Sequence, residues 1–283
     1  MRWGAVYDEF IYGGHLLALG TASIAGTAAL VLGKFPSLDL AVMAYLFTMG
    51  AYTINRATEA EQDAVSQPQR TAFVQKRKKF LPAIVVGCFL VGYLLALERN
   101  LYFFFALLVP LVLSVLYSVG SSKMKKVIGS RRLKDGLLVK NIVISFGWSL
   151  IPLLVGLYYL DFSLALALLA PFIFMRLMVN TIFFDVRDVD ADRMYGTRTI
   201  PSVFGQRVTN HALTGLDLAS LAYILTVVAF SLIPAYALAL AAFPFYSLAY
   251  RTASRSSDSN TIRDLVADGE YVMWMPVILL GKI

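Results

Sequence analysis

The chain has 283 residues, of which 58% are hydrophobic and only 15% charged. A soluble domain carries about 45–50% apolar and about 25% charged residues, so a soluble globular enzyme and a disordered chain are both excluded. What remains is an all-α polytopic membrane protein, whose formal net charge of +7 calls for a topological explanation before a nucleic-acid one.

A membrane-spanning helix needs about 20 mostly apolar residues. In chain order the predicted spans are 10–33, 37–54, 80–97, 101–120, 141–160, 162–184, 209–232, 233–250 and 265–280, about nine transmembrane helices in all. The first is too long for the apolar region of a cleaved signal segment, and no small-x-small site follows it. His15 in that span and His211 in the seventh are expected to serve packing or interfacial roles. Cys88, the single cysteine, allows no internal disulfide and is expected to be a packed thiol in the third span. The ninth span carries Asp268 and Glu270, which either line a cavity or mark a poorly inserted helix. The whole chain, 1–283, reads as one membrane domain: two four-helix halves, about 1–140 and about 141–250, plus a last helix.

The connections alternate long and short. Long ones cover 55–79, 121–140, 185–208 and 251–264, and they hold nearly all the lysines and arginines. The opposite side has only Lys34, Arg99 and Lys282. The positive-inside rule places the long connections in the cytoplasm, so the positive charge is accounted for and no nucleic-acid partner is expected. Within the spans, Arg176 precedes Asp185 by nine residues and Asp217 follows Arg207 by ten. At 1.5 Å per residue both lie about 13–15 Å from those markers. Lone charges at that depth are costly, so the two are predicted to pair.

Two acidic clusters stand out, each following a predicted span on the same side. Asn55, Glu59 and Asp63 fall within about 80° of one helix face, and Arg56 and Glu61 point elsewhere. Asp185, Asp188 and Asp192 fall within about 60° of one another, and Asp190 points away. Acids at helix ends are commonly caps or solvated loops. Two clusters in phase, after equivalent spans, instead suit a phosphate-rich anion bridged by Mg²⁺, a hard cation that takes carboxylate and amide oxygens and keeps substrate phosphates as ligands. Nearby lysines and arginines can neutralise the remaining phosphate oxygens.

With these clusters the sequence resembles the UbiA superfamily of intramembrane prenyltransferases. Asn55, Glu59 and Asp63 match that family's Asn-x-x-x-Asp-x-x-x-Asp, with glutamate in the middle position. Asp185, Asp188 and Asp192 match its Asp-x-x-Asp-x-x-x-Asp. The tail from Gly196 through Arg198, Thr199 and Pro201 to Gly205 resembles the family's Gly-x-(Lys/Arg)-Thr-Leu-Pro-x-x-x-Gly. Tyr117-Ser118, Arg132, Lys134, Lys140 and Asn141 resemble the segment after its fourth helix. The stretch 69–74 departs from the Arg-Pro-x-x-x-Gly of many aromatic-accepting members.

The resemblance implies a UbiA-like bundle and Mg²⁺-dependent transfer of an isoprenoid from an isoprenyl diphosphate to a lipophilic acceptor. By the same resemblance the six residues of the two motifs are the metal ligands, with Asp185, Asp188 and Asn55 also catalytic. Lys134, Lys140, Asn141 and Arg198 would hold the diphosphate, and Tyr117 would either be catalytic beside the allylic cation or be an interfacial belt tyrosine. A terpene cyclase is the alternative within the same fold. A secondary transporter is the alternative outside it, although its acids are expected at mid-span rather than at the helix ends.

Overall fold

A computed structural model describes residues 3–112, 136–256 and 262–282. Tyr117 and Lys134, both expected at the site, lie outside these. The described residues are helical, with no strand among them. In chain order the helices are α1 (Trp3–Tyr12), α2 (His15–Val31), α3 (Leu38–Ser66), α4 (Pro68–Lys76), α5 (Leu81–Arg99), α6 (Leu101–Ala106), α7 (Val139–Ser149), α8 (Ile151–Tyr159), α9 (Leu164–Arg187), α10 (Val189–Tyr195) and α11 (Ile200–Ala229). A 3₁₀ segment, Ala235–Ala241, leads into α12 (Ala242–Ser256). A π turn, Ile262–Ala267, leads into α13 (Asp268–Val272) and α14 (Trp274–Lys282).

Four stretches are long and apolar enough to cross a membrane: Leu81–Arg99, Val139–Tyr159, Leu164–Arg187 and Ile200–Ala229. The pair Val6–Tyr12 and His15–Val31, bent by 54°, can supply a fifth. Of the predicted span 101–120 only the part up to Val112 lies within the described residues, and the other three correspond to helices that fall short of this measure for visible reasons. The apolar part of α3 runs on without a break into the charged motif. The stretch 233–250 begins as a 3₁₀ turn, and the last one is interrupted at Met273.

The bend between α1 and α2 falls at Gly13-Gly14. It is held by Arg56, whose guanidinium donates to the carbonyls of Tyr12 and Ile11 at the end of α1. A basic side chain on the last carbonyls of a helix is a favourable cap.

The core lies where α2, α9 and α13–α14 meet. Ile24, Ala28, Leu169, Phe172, Tyr271 and Trp274 are each essentially inaccessible there. Small residues on α2 allow this approach: a side chain at Gly20 would come within 2.9 Å of Tyr271 Cβ. Close small-residue contacts of this kind drive helix association where lipid removes the usual hydrophobic gain. By contrast α5 turns Val86, Leu90, Leu94 and Leu97 outward, an apolar surface suited to lipid. Cys88 lies on this helix half-buried, rather than as the core thiol its run suggests.

The polar tail after the second acidic cluster shapes the ends of two helices. Gly196, at φ 74°, ends α10 in the left-handed conformation. Thr199 caps α11, with Ser202 Oγ accepting from the Thr199 N–H at 2.9 Å, and Pro201 sits in the first turn. Gly205, at φ 77° and ψ 174°, kinks α11 in a region of backbone space essentially reserved for glycine. The predicted span starts at 209 because Gln206 and Arg207 follow this kink and precede the long apolar run. Gly205→Ala should strain the backbone by about 1–3 kcal/mol. The expected result is a lower unfolding temperature of the purified protein in detergent, because space around Gly205 is open and only the backbone opposes the change.

Candidate active site

Helices α3, α9 and α10 bring both acidic clusters to one polar chamber. Its lining includes Asn55, Glu59 and Asp63 from α3 and Asp185, Asp188 and Asp192 from the α9–α10 corner. The face predicted for the first cluster is correct, and Glu61 and Asp190 are exposed as expected. Arg56 was expected to point elsewhere, yet it is buried and also lines the chamber. The second cluster does not ride on one continuous helix: α9 ends at Arg187, Asp188 sits at φ −93° and ψ 9°, and α10 starts afresh. Asp188 and Asp192 still reach the chamber, because α10 restarts within one residue.

Each carboxylate is held by named partners. Asp185 is fully buried and accepts from Lys140 Nζ at 2.8 Å and Asn141 Nδ2 at 2.7 Å. Arg187 donates to Asp188 at 3.0 Å and to Asp264 at 2.6 Å. Burial alone would raise the Asp188 pKa, but the adjoining Arg187 guanidinium outweighs it and holds the carboxyl at about 2. Asp192 accepts from Thr199 Oγ1 at 3.1 Å and from Gln62 Nε2 at 3.3 Å. Burial pushes its carboxyl up to about 6; Lys140 offsets part of this, while Asp185 and Asp188 add to it. Asp63 pairs with Arg70 at 2.7 Å.

The motif's tail therefore has a local purpose. Gly196 turns the chain so that Thr199 can cap α11 and also steady Asp192. Arg198, expected on the diphosphate, is exposed and is not among the residues lining the chamber. Among the described residues the cations that line it are Arg56, Arg70, Lys140 and Arg187. Gln62, Asn180 and Asp268 also belong to the lining without having been singled out for it. Gln62 was legible in principle, lying three residues after Glu59 on the same helix face. Of the two acids in the last span, Asp268 faces the chamber, where Asn180 Nδ2 lies 3.3 Å away. Glu270 instead receives two hydrogen bonds from Arg176, at 2.9 and 2.8 Å.

The predicted Arg176–Asp217 pair is present at 2.5 Å. His15 contacts the Tyr45 hydroxyl, in keeping with a packing role, and His211 is exposed.

A second, apolar cavity of about 220 Å³ adjoins the chamber. Tyr52, Asn55, Ile144 and Trp148 line both, so they form the junction between a charged space and a hydrocarbon-like one.

The donor set suits Mg²⁺. The side chains offer carboxylate and amide oxygens, and Asn55 Oδ1 and Gln62 Oε1 are buried with no hydrogen-bond partner. Among the described residues no three Asp, Glu, His or Cys side chains gather around one point. Scattered carboxylates around a chamber match an ion that binds one or two of them and completes its shell with water and substrate phosphate.

A helical bundle with apolar spans, an acid-lined chamber and an apolar cavity below it defines a membrane enzyme for an amphiphilic anion. The chain belongs to the UbiA prenyltransferase family, whose model matches residues 17–266. It is a prenyltransferase and an integral membrane protein. Digeranylgeranylglyceryl phosphate synthase of Methanothermobacter thermautotrophicus is 30% identical over 228 residues, covering 76% of this chain and 75% of that protein. A UbiA homologue from Archaeoglobus fulgidus, solved with GPP and Mg²⁺, has a TM-score of 0.66 at 13% identity, covering 97% of this chain and 98% of that one. A UbiA homologue from the same organism with DMAPP and Mg²⁺ has a TM-score of 0.63 at 15% identity, over 96% and 94%. The two solved structures share the fold.

Proposed function

We propose that this chain transfers an isoprenoid group from an isoprenyl diphosphate to the hydroxyl of a lipophilic glyceryl phosphate, with Mg²⁺ as cofactor. The observation that carries the reading is the junction: a chamber lined by both acidic clusters opens onto an apolar cavity through Tyr52, Asn55, Ile144 and Trp148. A diphosphate head and a hydrocarbon tail fit these two spaces in one orientation. The acceptor class rests on the name of the 30% identical relative and on the missing motif of aromatic-accepting members.

In this reading Asn55, Glu59 and Asp63 on one side, and Asp185, Asp188 and Asp192 on the other, hold the metal. Bound there, Mg²⁺ would neutralise the charge that develops on the leaving diphosphate. Lys140, Arg70 and Arg187 supply fixed positive charge to oxygens the metal does not reach. Asn141 and Lys140 orient Asp185, and Thr199 and Gln62 orient Asp192. The C1–O bond breaks with its electron pair going to diphosphate. The acceptor oxygen bonds to C1, and its proton passes to the departing diphosphate. Tyr52 and Trp148 line the junction, where aromatic rings would favour the allylic cation and keep water from it.

The same reading has nine spans, arranged as two four-helix halves and a last helix, with the acidic chamber on the cytoplasmic side.

Detergent-purified protein given isoprenyl diphosphates should release diphosphate only with Mg²⁺ and an isoprenyl-ether glyceryl phosphate, and EDTA should abolish the release. A cyclised hydrocarbon formed without acceptor would replace this reading by a cyclase. Failure to bind any isoprenyl diphosphate would end it.

A further inference from the structure

The apolar cavity closes at the end of the bundle opposite the acidic clusters. Leu40 and Met43 of α3, Phe103 and Leu107 in and just after α6, and Leu154 and Val155 of α8 line that end. Immediately beyond them lies a polar cluster built from three separate corners of the fold. Tyr158, 2% exposed, donates its hydroxyl to Asp39 Oδ2 at 2.5 Å and lies 2.7 Å from Ser37 Oγ. Arg99 Nε donates to the Tyr158 carbonyl at 3.0 Å, and its guanidinium stands 4.3 Å from the Tyr158 ring centre. Asn100 Nδ2 donates to the Leu157 carbonyl at 3.1 Å, while its Oδ1 accepts from the Phe103 N–H at 2.8 Å. The α3 start, the α5–α6 corner and the α8 end are thereby tied together.

Phe103 is the layer between cavity and cluster. It is 2% exposed, lines the cavity, and meets the Tyr158 ring edge-on at 5.5 Å between centres. A hydrocarbon tail that pushed past Phe103 would have to displace the buried Tyr158 ring and part the hydrogen bonds that hold it, which is unfavourable. The floor therefore resists extension in a way that an apolar floor, free to repack, would not.

The depth above it can be read from α3. Asn55 at the junction and Leu40 at the floor are fifteen residues apart, a rise of about 22 Å at 1.5 Å per residue. An isoprene unit adds four chain carbons, so with carbon–carbon bonds of about 1.5 Å its extended repeat is about 5 Å. The column from junction to floor is thus at most about four units deep.

We propose that Phe103, backed by the Tyr158–Asp39–Arg99 cluster, sets the maximum length of the isoprenoid tail at about four isoprene units. This rests on the isoprenyl diphosphate reading of the chamber. Phe103 touches the end of the tail; Tyr158 and Asp39 act through it as positioning residues.

The test is a length series, from two to six isoprene units, measured as kcat/KM and as equilibrium binding of non-ionising thiolodiphosphate analogues. Wild type is expected to lose both beyond four units. Phe103→Ala should raise the six-unit to four-unit ratio about tenfold or more, and Phe103→Leu should raise it less. Tyr158→Phe, which removes only the hydroxyl, should move the ratio in the same direction. Phe103→Trp should shift the limit downward by a unit. A loss of folded protein lowers every length together and leaves the ratio unchanged, so the ratio reports the floor alone. An unchanged ratio in Phe103→Ala and Phe103→Leu, with two-unit turnover preserved, would overturn the proposal. So would a wild type that accepts all lengths equally, and in both cases the reading of the chamber survives. A wild type that binds and turns over none of them overturns that reading and this one with it.

Discussion

Replacing Asp185 by asparagine is expected to lower Mg²⁺-dependent diphosphate release by at least about a hundredfold, the scale on which a single preorganised electrostatic group acts in a dry site. Asp185 is fully buried, and its two oxygens are taken by Lys140 at 2.8 Å and Asn141 at 2.7 Å. It therefore does two things in the proposed chemistry: it offers a carboxylate to the metal and it fixes the cation and the amide beside it. Asparagine keeps the volume and one acceptor oxygen, but loses the charge that holds Lys140. The amide also sets an NH2 donor where one carboxylate oxygen now accepts, against one of the two donor neighbours. Asp190→Asn is the control. It lies in the same acidic run and removes the same charge, but the side chain is exposed. Surface substitutions of that kind change stability by about 0.5 kcal/mol or less, and turnover should stay at the wild-type level. Diphosphate release, measured beside the unfolding temperature of each variant, checks both. Equal losses in the two variants would mean that overall acidity, and not the chamber, matters.

The contrast between these neighbours also shows what the sequence can and cannot carry. Helix phase separates Asp185 and Asp188 from Asp190 correctly, because adjacent turns of a helix repeat regardless of what packs around them. The same phase argument misplaces Arg56. Its long side chain reaches the carbonyls at the broken end of α1, over forty residues away in the chain. Arg198 fails for the opposite reason. It matches a motif position, yet the neighbouring Thr199 turns inward to cap α11 and leaves the arginine outside. The break at Asp188 is hidden because nothing in Val-Arg-Asp-Val-Asp forbids a continuous helix. The apolar cavity leaves no trace in the sequence at all. Residues that line a hydrocarbon-filled space and residues that fill a packed core are the same types at the same spacing, and only the arrangement of α3, α6, α7 and α8 distinguishes them.

Arg176→Met is expected to be the most damaging substitution outside the chamber, at about 3–5 kcal/mol, the usual loss when one partner of a buried ionic group is removed. Arg176 is completely buried on α9 and donates to Glu270 at 2.9 and 2.8 Å, to Asp217 at 2.5 Å and to the Phe243 carbonyl at 3.1 Å. Arg251 and Ser247 of α12 also reach Asp217, so the cluster holds two arginines against two acids and is neutral as a whole. Without Arg176, Asp217 keeps Arg251, but Glu270 loses both guanidinium hydrogen bonds in a fully buried position. Helix α13 is then the element most loosened, and with it Asp268, two residues away in the chamber. Arg176→Met should therefore lower turnover as well as stability. If the stranded charge is the cause, adding Glu270→Gln should restore part of the stability, because a neutral amide is less costly to bury than an unpaired carboxylate. The double variant should accordingly be more stable than Arg176→Met alone, measured as the unfolding free energy in mixed micelles through a double-mutant cycle. Strictly additive losses would instead mean that Arg176 and Glu270 contribute through packing, independently of their charge.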